Sequence, residues 1–167
     1  MHVTLRVAPG VWNLRSQRSW SVIERALFLA FCQGNDRFGV RLNRFSVQGN
    51  HIHLLVEARD HLCLGRAVKG ISVRLARGLN KMMCRRGRVL GDRYHARRLR
   101  TPSEVRGVID YIRENRRRHA EAYGEVLSPG YVDPYSSDGA PLGLVLPEPA
   151  TWLLQTGWQR GRPPRES

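Results

Sequence analysis

Two strand-like segments separated by only four residues constrain the fold of this chain more than any other feature. Residues 38–47 (FGVRLNRFSV) and 52–58 (IHLLVEA) are rich in β-branched and apolar residues, and the turn Gln48-Gly49-Asn50 lies between them. So short a connection joins antiparallel strands, because parallel pairing needs a crossover of a dozen or more residues. The alternation in the first segment breaks between Leu42 and Phe45, which predicts a bulge or bend there.

The other segments show a regular order of strand and helix periods. We predict a strand over residues 3–7, helices over 19–33 and 64–84, a strand over 89–99 and a final helix that reaches His119. The order β-α-β-β-α-β-α is typical of the α+β class. It predicts a ferredoxin-like antiparallel sheet (β-α-β-β-α-β) with an added C-terminal helix.

The final helix has a well-defined start in the sequence. Thr101 as N-cap, Pro102 at the first helical position and Glu104 at the third form a capping box. After this helix the chain becomes rich in proline and glycine. We therefore predict one domain over residues 1–122 and an extension over 123–167. In the extension Trp152, Leu153, Leu154 and Trp158 are expected to dock as an anchor, and residues 161–167 are expected to be disordered.

Charge limits the partners that the chain can have. It carries 28 Lys and Arg against 14 Asp and Glu, a net charge of +14. Arginine dominates, and its guanidinium group suits bidentate contacts with phosphate. Five of the basic residues fall in one arc of the second predicted helix, opposite its apolar stripe: Arg66, Lys69, Arg74, Arg77 and Lys81. This one-signed excess favours a nucleic-acid partner over an anionic membrane surface.

The cellular compartment is predicted from absences in the sequence. No apolar run approaches the roughly 20 residues of a membrane span. No signal-peptide pattern opens the chain, so we expect a cytoplasmic protein with no membrane partner. The cysteines Cys32, Cys63 and Cys84 are odd in number and widely spaced. We expect them to be reduced thiols and not a zinc site.

The residues His51 and His53 suggest a metal site. Side chains alternate along a strand, so both imidazoles share one face while Ile52, Leu54 and Val56 share the other. Two imidazoles about 7 Å apart along a strand can bind one ion, and a site that mixes imidazole, amide and phosphate oxygen suits Mg²⁺ or Mn²⁺. The alternative is two structural histidines bonded to nearby backbone or water.

A candidate nucleophile lies on the final helix. Tyr111 is one turn before Asn115 in the sequence DYIRENRRRH. A phenol needs a base or a nearby cation before it attacks phosphorus. Asn115 projects from the same side of the helix and can offer an amide oxygen to the same metal. The alternative for Tyr111 is a half-buried tyrosine with no chemical role.

Taken together, GNHIHLLVEA and GRVLGDRYHARRLRTPSEVRGVIDYIREN resemble the single-tyrosine HUH transposases of small insertion sequences, and among these the REP-associated tyrosine transposases. HUH denotes His–hydrophobic–His, here His51-Ile52-His53. The resemblance covers roughly residues 1–119. It implies a prokaryotic, nucleoid-associated protein that acts either as a monomer or as a homodimer.

The resemblance also implies a reaction and a set of site residues. Members cleave and rejoin single-stranded DNA next to a hairpin, at a repeat or a transposon end, through a 5′-phosphotyrosine. Tyr111 would be the nucleophile, and His51, His53 and Asn115 would bind Mg²⁺ or Mn²⁺. The five basic residues of the second helix would contact DNA, together with Arg93, Arg97 and Arg98. His119 either borders the active site or stabilises the end of its helix, whereas His2 and His61 are expected to be incidental.

Two other functions remain open from the sequence. One is a nucleic-acid-binding module in which Tyr111 packs and the histidines are structural. The other is a metal-dependent nuclease that activates water in place of Tyr111. Covalent capture of cleaved DNA distinguishes the tyrosine reaction from both.

Overall fold

The structure is a computed structural model that describes residues 1–32, 39–139 and 145–163. Its strands and long helices are β1 (His2–Arg6), α1 (Gln17–Leu27), β2 (Val40–Val47), β3 (His51–Ala58), α2 (His61–Met82), β4 (His95–Arg97) and α3 (Pro102–Ala122). A π-helical turn, Phe28–Cys32, extends α1, and a short helix α4 (Trp152–Gln155) and a 3-10 turn (Gly157–Arg160) follow in the extension. The predicted element order is therefore confirmed over the described residues.

The four strands form one antiparallel sheet. Their spatial order is β2-β3-β1-β4, so that β1 pairs with both β3 and β4. This order, with two helical crossovers, is the ferredoxin-like arrangement that the sequence predicts. The hairpin of β2 and β3 is confirmed, and its register shifts between Leu42 and Arg44, where the bulge is predicted.

The helices cover the two faces of the sheet unequally. One face contributes alternate residues of β1 and β3 to the main core, where they pack against α1 and α2. Leu55 points to the opposite face and packs against Val105, Val108, Ile109 and Ile112 of α3. The alternation of β3 therefore places His51 and His53 on the face that α3 covers.

The prediction for the fourth strand is wrong in its length. A strand was expected over residues 89–99, but the ladder with β1 covers only His95–Arg97, and Leu90 makes an isolated bridge to Val7. Glycine and aspartate are poor strand formers. After Gly91 N has donated one hydrogen bond to Arg6 O at 2.9 Å, the chain bends out of the ladder at Asp92 and Arg93.

Side-chain caps fix where the long helices begin. α2 begins three residues earlier than predicted because Asp60 caps it, accepting a bond from Cys63 N at 2.7 Å. The capping box of α3 is confirmed: Thr101 Oγ1 accepts from Glu104 N, and the Glu104 carboxylate accepts from Thr101 N. That carboxylate also pairs with Arg97 at 3.0 Å, which links β4 to the start of α3.

The extension packs around α3 and along the edge of the sheet. Backbone bonds join it to β2, from Val47 N to Tyr135 O at 2.9 Å and from Ser137 N to Phe45 O at 3.0 Å. Leu153, Leu154 and Trp158 pack on the cluster under α3, as predicted. Trp152 does not, since its side chain is 51% exposed. It stands at the first position of α4, where its ring lies over Gly157 instead.

The disorder predicted for residues 161–167 is wrong at its start: Gly161 is buried and its N donates to Trp158 O at 3.0 Å, and Arg162 N donates to Ser103 Oγ at 3.1 Å. Residues 164–167 lie outside the described part of the chain, as do Gln33 and Phe38 at the ends of two predicted elements. Within the described residues, no helix is both long enough and apolar enough to span a membrane. Cys63 is a buried free thiol, as the spacing of the cysteines predicts.

Candidate active site

The two histidines of β3 stand closer together than their spacing along the strand predicts. Their ring centroids are 4.7 Å apart and the ring planes are nearly perpendicular. Asn50, in the turn before β3, contacts His51: its Oδ1 lies 2.7 Å from His51 Nδ1. Nδ1 of His53 lies 3.1 Å from His2 Nε2 and 3.2 Å from Thr4 Oγ1. Each imidazole is thus held at Nδ1, and its Nε2 is the atom available for chemistry.

Tyr111 reaches the same place from α3. Its hydroxyl lies 3.3 Å from His53 Nε2, with the tyrosine ring edge-on to the imidazole at a centroid distance of 5.1 Å. The structure therefore brings together the candidate nucleophile and one of the two candidate metal ligands. The helix achieves this because its apolar stripe packs on Leu55, which is two residues beyond His53 on the same face of β3.

One side of α3 continues along the site beyond Tyr111. Residues four apart on a helix lie on the same side, so Tyr111, Asn115 and His119 form a row. The ring of His119 is 5.9 Å from that of His51, centroid to centroid. Asn115 lies between these two contacts along the helix and is only 2% exposed. Its Nδ2 is buried and has no hydrogen-bond partner among residues 1–32, 39–139 and 145–163.

Burial keeps the imidazoles of the site neutral. It lowers the pKa of His53 to about 3, and repulsion from His51 and then His2 acts in the same direction. Burial also lowers the pKa of His51 to about 4, reinforced by His119 and Arg6, and that of His2 to about 4. A neutral imidazole is the form that binds a metal ion. Each of the three rings therefore has one unprotonated nitrogen at neutral pH.

Positive charge surrounds the tyrosine. The guanidinium carbon of Arg118 lies 5.9 Å from the centre of the Tyr111 ring. On the other side of the ring a cleft of about 570 Å³ opens, lined by Arg97, Ser103, Gly107 and Arg162 among others. The carboxylate of Glu104 borders the cleft too, but it is engaged by Arg97 and by the cap of α3. The cleft can admit a phosphodiester group next to the hydroxyl.

The structure does not bring the predicted DNA-binding residues together on one surface. Arg97 lines the cleft at Tyr111, whereas Arg98 lines a different cavity beside Leu99 and Val105. The basic residues of α2 are exposed on the other face of the sheet, and three of them border a groove of about 670 Å³ against α1: Arg74, Arg77 and Lys81. Arg93 is exposed in the bend before β4.

Sequence reasoning missed three contributors to the site. His2 was expected to be incidental, which is wrong, because its ring contacts both His53 and Tyr111. Thr4 and Arg118 were not singled out. The alternation of β1 does place His2 and Thr4 on one face, but no local signal indicates that β1 lies beside β3 with Thr4 opposite His53.

The site therefore joins a helical tyrosine to a His–hydrophobic–His pair on a ferredoxin-like sheet. A family model described as transposase, IS200-like, matches residues 11–115, well over half of the chain. The chain belongs to the IS200-like transposase family. A search of curated proteins finds no match.

A solved structure is similar as well. It is described as the REP-associated tyrosine transposase bound to a REP hairpin, and it matches with a TM-score of 0.56 at 16% sequence identity. The match covers 71% of this chain and 66% of that one, so the chain spans about two thirds of the length of this relative. At this identity the likeness shows the shared fold.

Proposed function

We propose that the protein is a metal-dependent single-strand DNA endonuclease and strand transferase. It cleaves and rejoins DNA next to hairpins through a 5′-phosphotyrosine at Tyr111. The observation that carries this proposal is the approach of the Tyr111 hydroxyl to His53 Nε2 at 3.3 Å, on the face that also carries His51. Membership of the transposase family and a REP-hairpin complex of a structurally similar protein support the same reaction.

The residues of the site fit a divalent metal ion. Both imidazoles are neutral and are held at Nδ1, so each offers Nε2, and this is how metal-binding histidines are usually oriented by their neighbours. Within the described residues no three His, Cys, Asp or Glu side chains are grouped to hold an ion. The third ligand must then be of another type, and the buried amide of Asn115 supplies it.

Mg²⁺ or Mn²⁺ would be held by His51, His53 and Asn115, and would supply polarisation of the scissile phosphate. The chain itself supplies the nucleophile and the positive field around it. Arg118 beside the Tyr111 ring would offset the negative charge that develops at the reacting phosphate. Arg97 at the cleft offers a second positive charge for the phosphate.

The reaction conserves bonds and needs no external energy. Tyr111 Oη forms a bond to phosphorus while the bond from phosphorus to the 3′ oxygen breaks. The phenol loses its proton and the departing 3′ oxygen gains one, so the strand ends in a free 3′-OH and the protein carries a 5′-phosphotyrosine. Attack by a 3′-OH on that ester reverses these changes and rejoins the DNA.

A hairpin would contact the protein on more than one surface. Arg66, Lys69, Arg74, Arg77 and Lys81 of α2 are exposed on the sheet face away from Tyr111 and would bind duplex phosphates. Arg93, Arg97 and Arg98 follow the chain towards the active-site face and would guide the single strand. We propose a monomer or homodimer that acts in the cytoplasm of a prokaryote, at repeats or transposon ends.

The test is a trapping assay with end-labelled single-stranded hairpins taken from the DNA that flanks the gene. Wild type is compared with Tyr111→Phe, with His51→Ala and with the control Tyr123→Phe, whose ring is 85% exposed. We expect a metal-dependent covalent adduct with wild type and with the control, and none with the other two. Cleavage that persists in Tyr111→Phe would instead indicate a water nucleophile. Binding without cleavage or adduct would indicate a binding module.

A further inference from the structure

His53 is the most constrained side chain of the site. It is 5% exposed, and both of its ring nitrogens have polar partners: His2 and Thr4 at Nδ1, and Tyr111 at Nε2. A neutral imidazole carries one proton, so one of its nitrogens donates and the other accepts. Which nitrogen carries the proton decides whether the lone pair points towards Tyr111 or away from it.

The partners at Nδ1 decide this. Thr4 is directly opposite His53 in the pairing of β1 with β3, and His2 is two residues before Thr4 on the same face. Both side chains can accept a proton from Nδ1, since a neutral imidazole has one unprotonated nitrogen and a hydroxyl has two lone pairs. At Nε2 the phenol of Tyr111 is a ready donor. All of these groups are satisfied when His53 Nδ1 donates to the acceptors on His2 and Thr4 and His53 Nε2 accepts from the Tyr111 hydroxyl.

The alternative tautomer leaves the site unable to react. With the proton on Nε2, His53 would donate to the Tyr111 oxygen, and its lone pair would face His2 and Thr4. That lone pair could then neither bind a metal ion nor accept a bond from the phenol. The same tautomer is expected for His51. Asn50 Oδ1 lies 2.7 Å from His51 Nδ1 and can only accept, so the proton of His51 is on Nδ1.

We propose that His2, supported by Thr4, is a positioning residue for His53. It accepts the Nδ1 proton and so directs the Nε2 lone pair towards the Tyr111 hydroxyl and the metal position. That a metal ion binds at this position rests on the proposed function, whereas the tautomer of His53 is a property of the folded chain alone.

The direct test is the tautomer of His53 in the full-length, ¹⁵N-labelled protein without metal. Two-bond ¹H–¹⁵N correlation spectra distinguish Nδ1–H from Nε2–H for each histidine. Variants are His2→Leu, His2→Gln, whose amide oxygen keeps an acceptor, and the double variant His2→Leu/Thr4→Val, which removes both acceptors. His61→Leu is the control, since His61 is an exposed imidazole at the start of α2.

We expect His53 to be Nδ1–H in wild type, in His2→Gln and in the control. In the double variant we expect Nε2–H to predominate. Affinity for Mn²⁺, titrated on the same samples, should fall about tenfold or more in the double variant and stay within about threefold of wild type in His2→Gln. Far-UV circular dichroism and amide dispersion establish that each variant is folded.

An unchanged His53 tautomer in the folded double variant, with Mn²⁺ affinity within about twofold of wild type, would overturn the inference. So would Nε2–H in wild type. Failure of the proposed function has a different signature: wild type would show the expected tautomer and bind Mn²⁺, yet form no covalent adduct with any flanking hairpin. The spectra therefore decide the role of His2 whether or not the strand-transfer reaction occurs.

Discussion

The hydroxyl of Tyr111 and Nε2 of His53 lie 3.3 Å apart, and both ends of this hydrogen bond belong to groups that the reaction would use. The lone pair on His53 Nε2 that accepts from the phenol is the one that a metal ion would take. Under the proposed function, a metal ion held by His53 would replace this hydrogen bond and leave the tyrosine oxygen free to react. In the metal-free protein this hydrogen bond holds the Tyr111 hydroxyl next to the histidines and occupies its proton.

Replacing the hydroxyl should strengthen metal binding while it abolishes the covalent reaction. A net hydrogen bond contributes about 1 kcal/mol, so Tyr111→Phe should bind Mn²⁺ about twofold to tenfold more tightly than wild type. The measurement is a calorimetric or fluorescence titration at neutral pH, with Tyr123→Phe as the matched control. A weaker affinity in Tyr111→Phe would mean that the phenol is itself a ligand.

Two aspartates of the extension should contribute very differently to stability. Asp133 forms a bidentate ion pair with Arg15, at 2.8 and 2.9 Å, and its side chain is 4% exposed. Asp138 bridges Arg44 of β2 and Arg113 of α3, but its side chain is 34% exposed. Removing one partner of a buried pair leaves an uncompensated charge, and water screens an exposed pair.

We therefore expect Asp133→Asn to lower the free energy of unfolding by about 3 kcal/mol. Asp138→Asn should lower it by about 1 kcal/mol or less. Urea denaturation of the two variants beside wild type, at pH 7 and moderate salt, measures both values. Equal losses would show that the docking of residues 133–138 does not depend on the Arg15–Asp133 pair.

The capping box of α3 should contribute about as much to the free energy of unfolding as a typical N-cap does. Thr101→Ala removes the bond to Glu104 N and should cost about 1 kcal/mol. Thr156, which flanks the 3-10 turn without a side-chain cap bond, is the matched control, and Thr156→Ala should change stability little. Thermal or urea unfolding measures both. A cost below that of the control would mean that packing alone fixes the start of α3.

Much of this fold and half of its site can be predicted from the sequence, for local reasons. The bulge after Leu42 breaks the alternation of β2, and the start of α3 depends on a cap within four residues. His53 and Tyr111 are predictable because strand alternation and helical spacing fix which way they point. These features depend on near neighbours in the chain.

The rest depends on pairings between distant segments. The contact of His2 with His53 joins residues 51 positions apart, and it requires β1 to lie beside β3 in one register. The shortness of β4 reflects a bend at Asp92 and Arg93 that the strand-like residues on both sides conceal. Trp152 looks like an anchor by composition, yet its place at the first position of α4 exposes it.

Stability of the metal-free protein should fall as the pH is lowered through the mildly acidic range. The pKa of His53 is lowered to about 3 in the folded chain, and those of His51 and His2 to about 4, against 6.5 as the ordinary value. Between these limits the unfolded chain binds more protons than the folded one, so the free energy of unfolding rises with pH there. It should be nearly independent of these groups above about pH 7.

Urea midpoints measured from pH 7.5 down to pH 4, in the presence of a chelator, test this prediction. The variant His53→Leu removes one of the three imidazoles and should show a shallower fall in stability below pH 6.5 than wild type. His61→Leu, at an exposed position, should retain the steep fall. Parallel pH profiles for wild type and His53→Leu would contradict the assignment of His53 as a buried neutral imidazole.

Hairpin binding and strand cleavage should be separable by mutation, because their charges lie on different faces of the sheet. Arg66 and Lys69 are exposed on α2, whereas Arg97 lines the cleft at Tyr111.

Each phosphate contact contributes close to one unit to the slope of log affinity against log salt. The double variant Arg66→Gln/Lys69→Gln should therefore weaken hairpin binding and reduce that slope by about two. At saturating protein its rate of adduct formation should match wild type. Arg97→Gln should do the reverse. Hairpin binding should fall by a single contact at most, and the single-turnover rate of adduct formation should fall at least tenfold, because one group placed at the developing charge typically contributes about 3 kcal/mol. If the α2 variant instead loses adduct formation at saturation, DNA on that face must control the active site through the sheet.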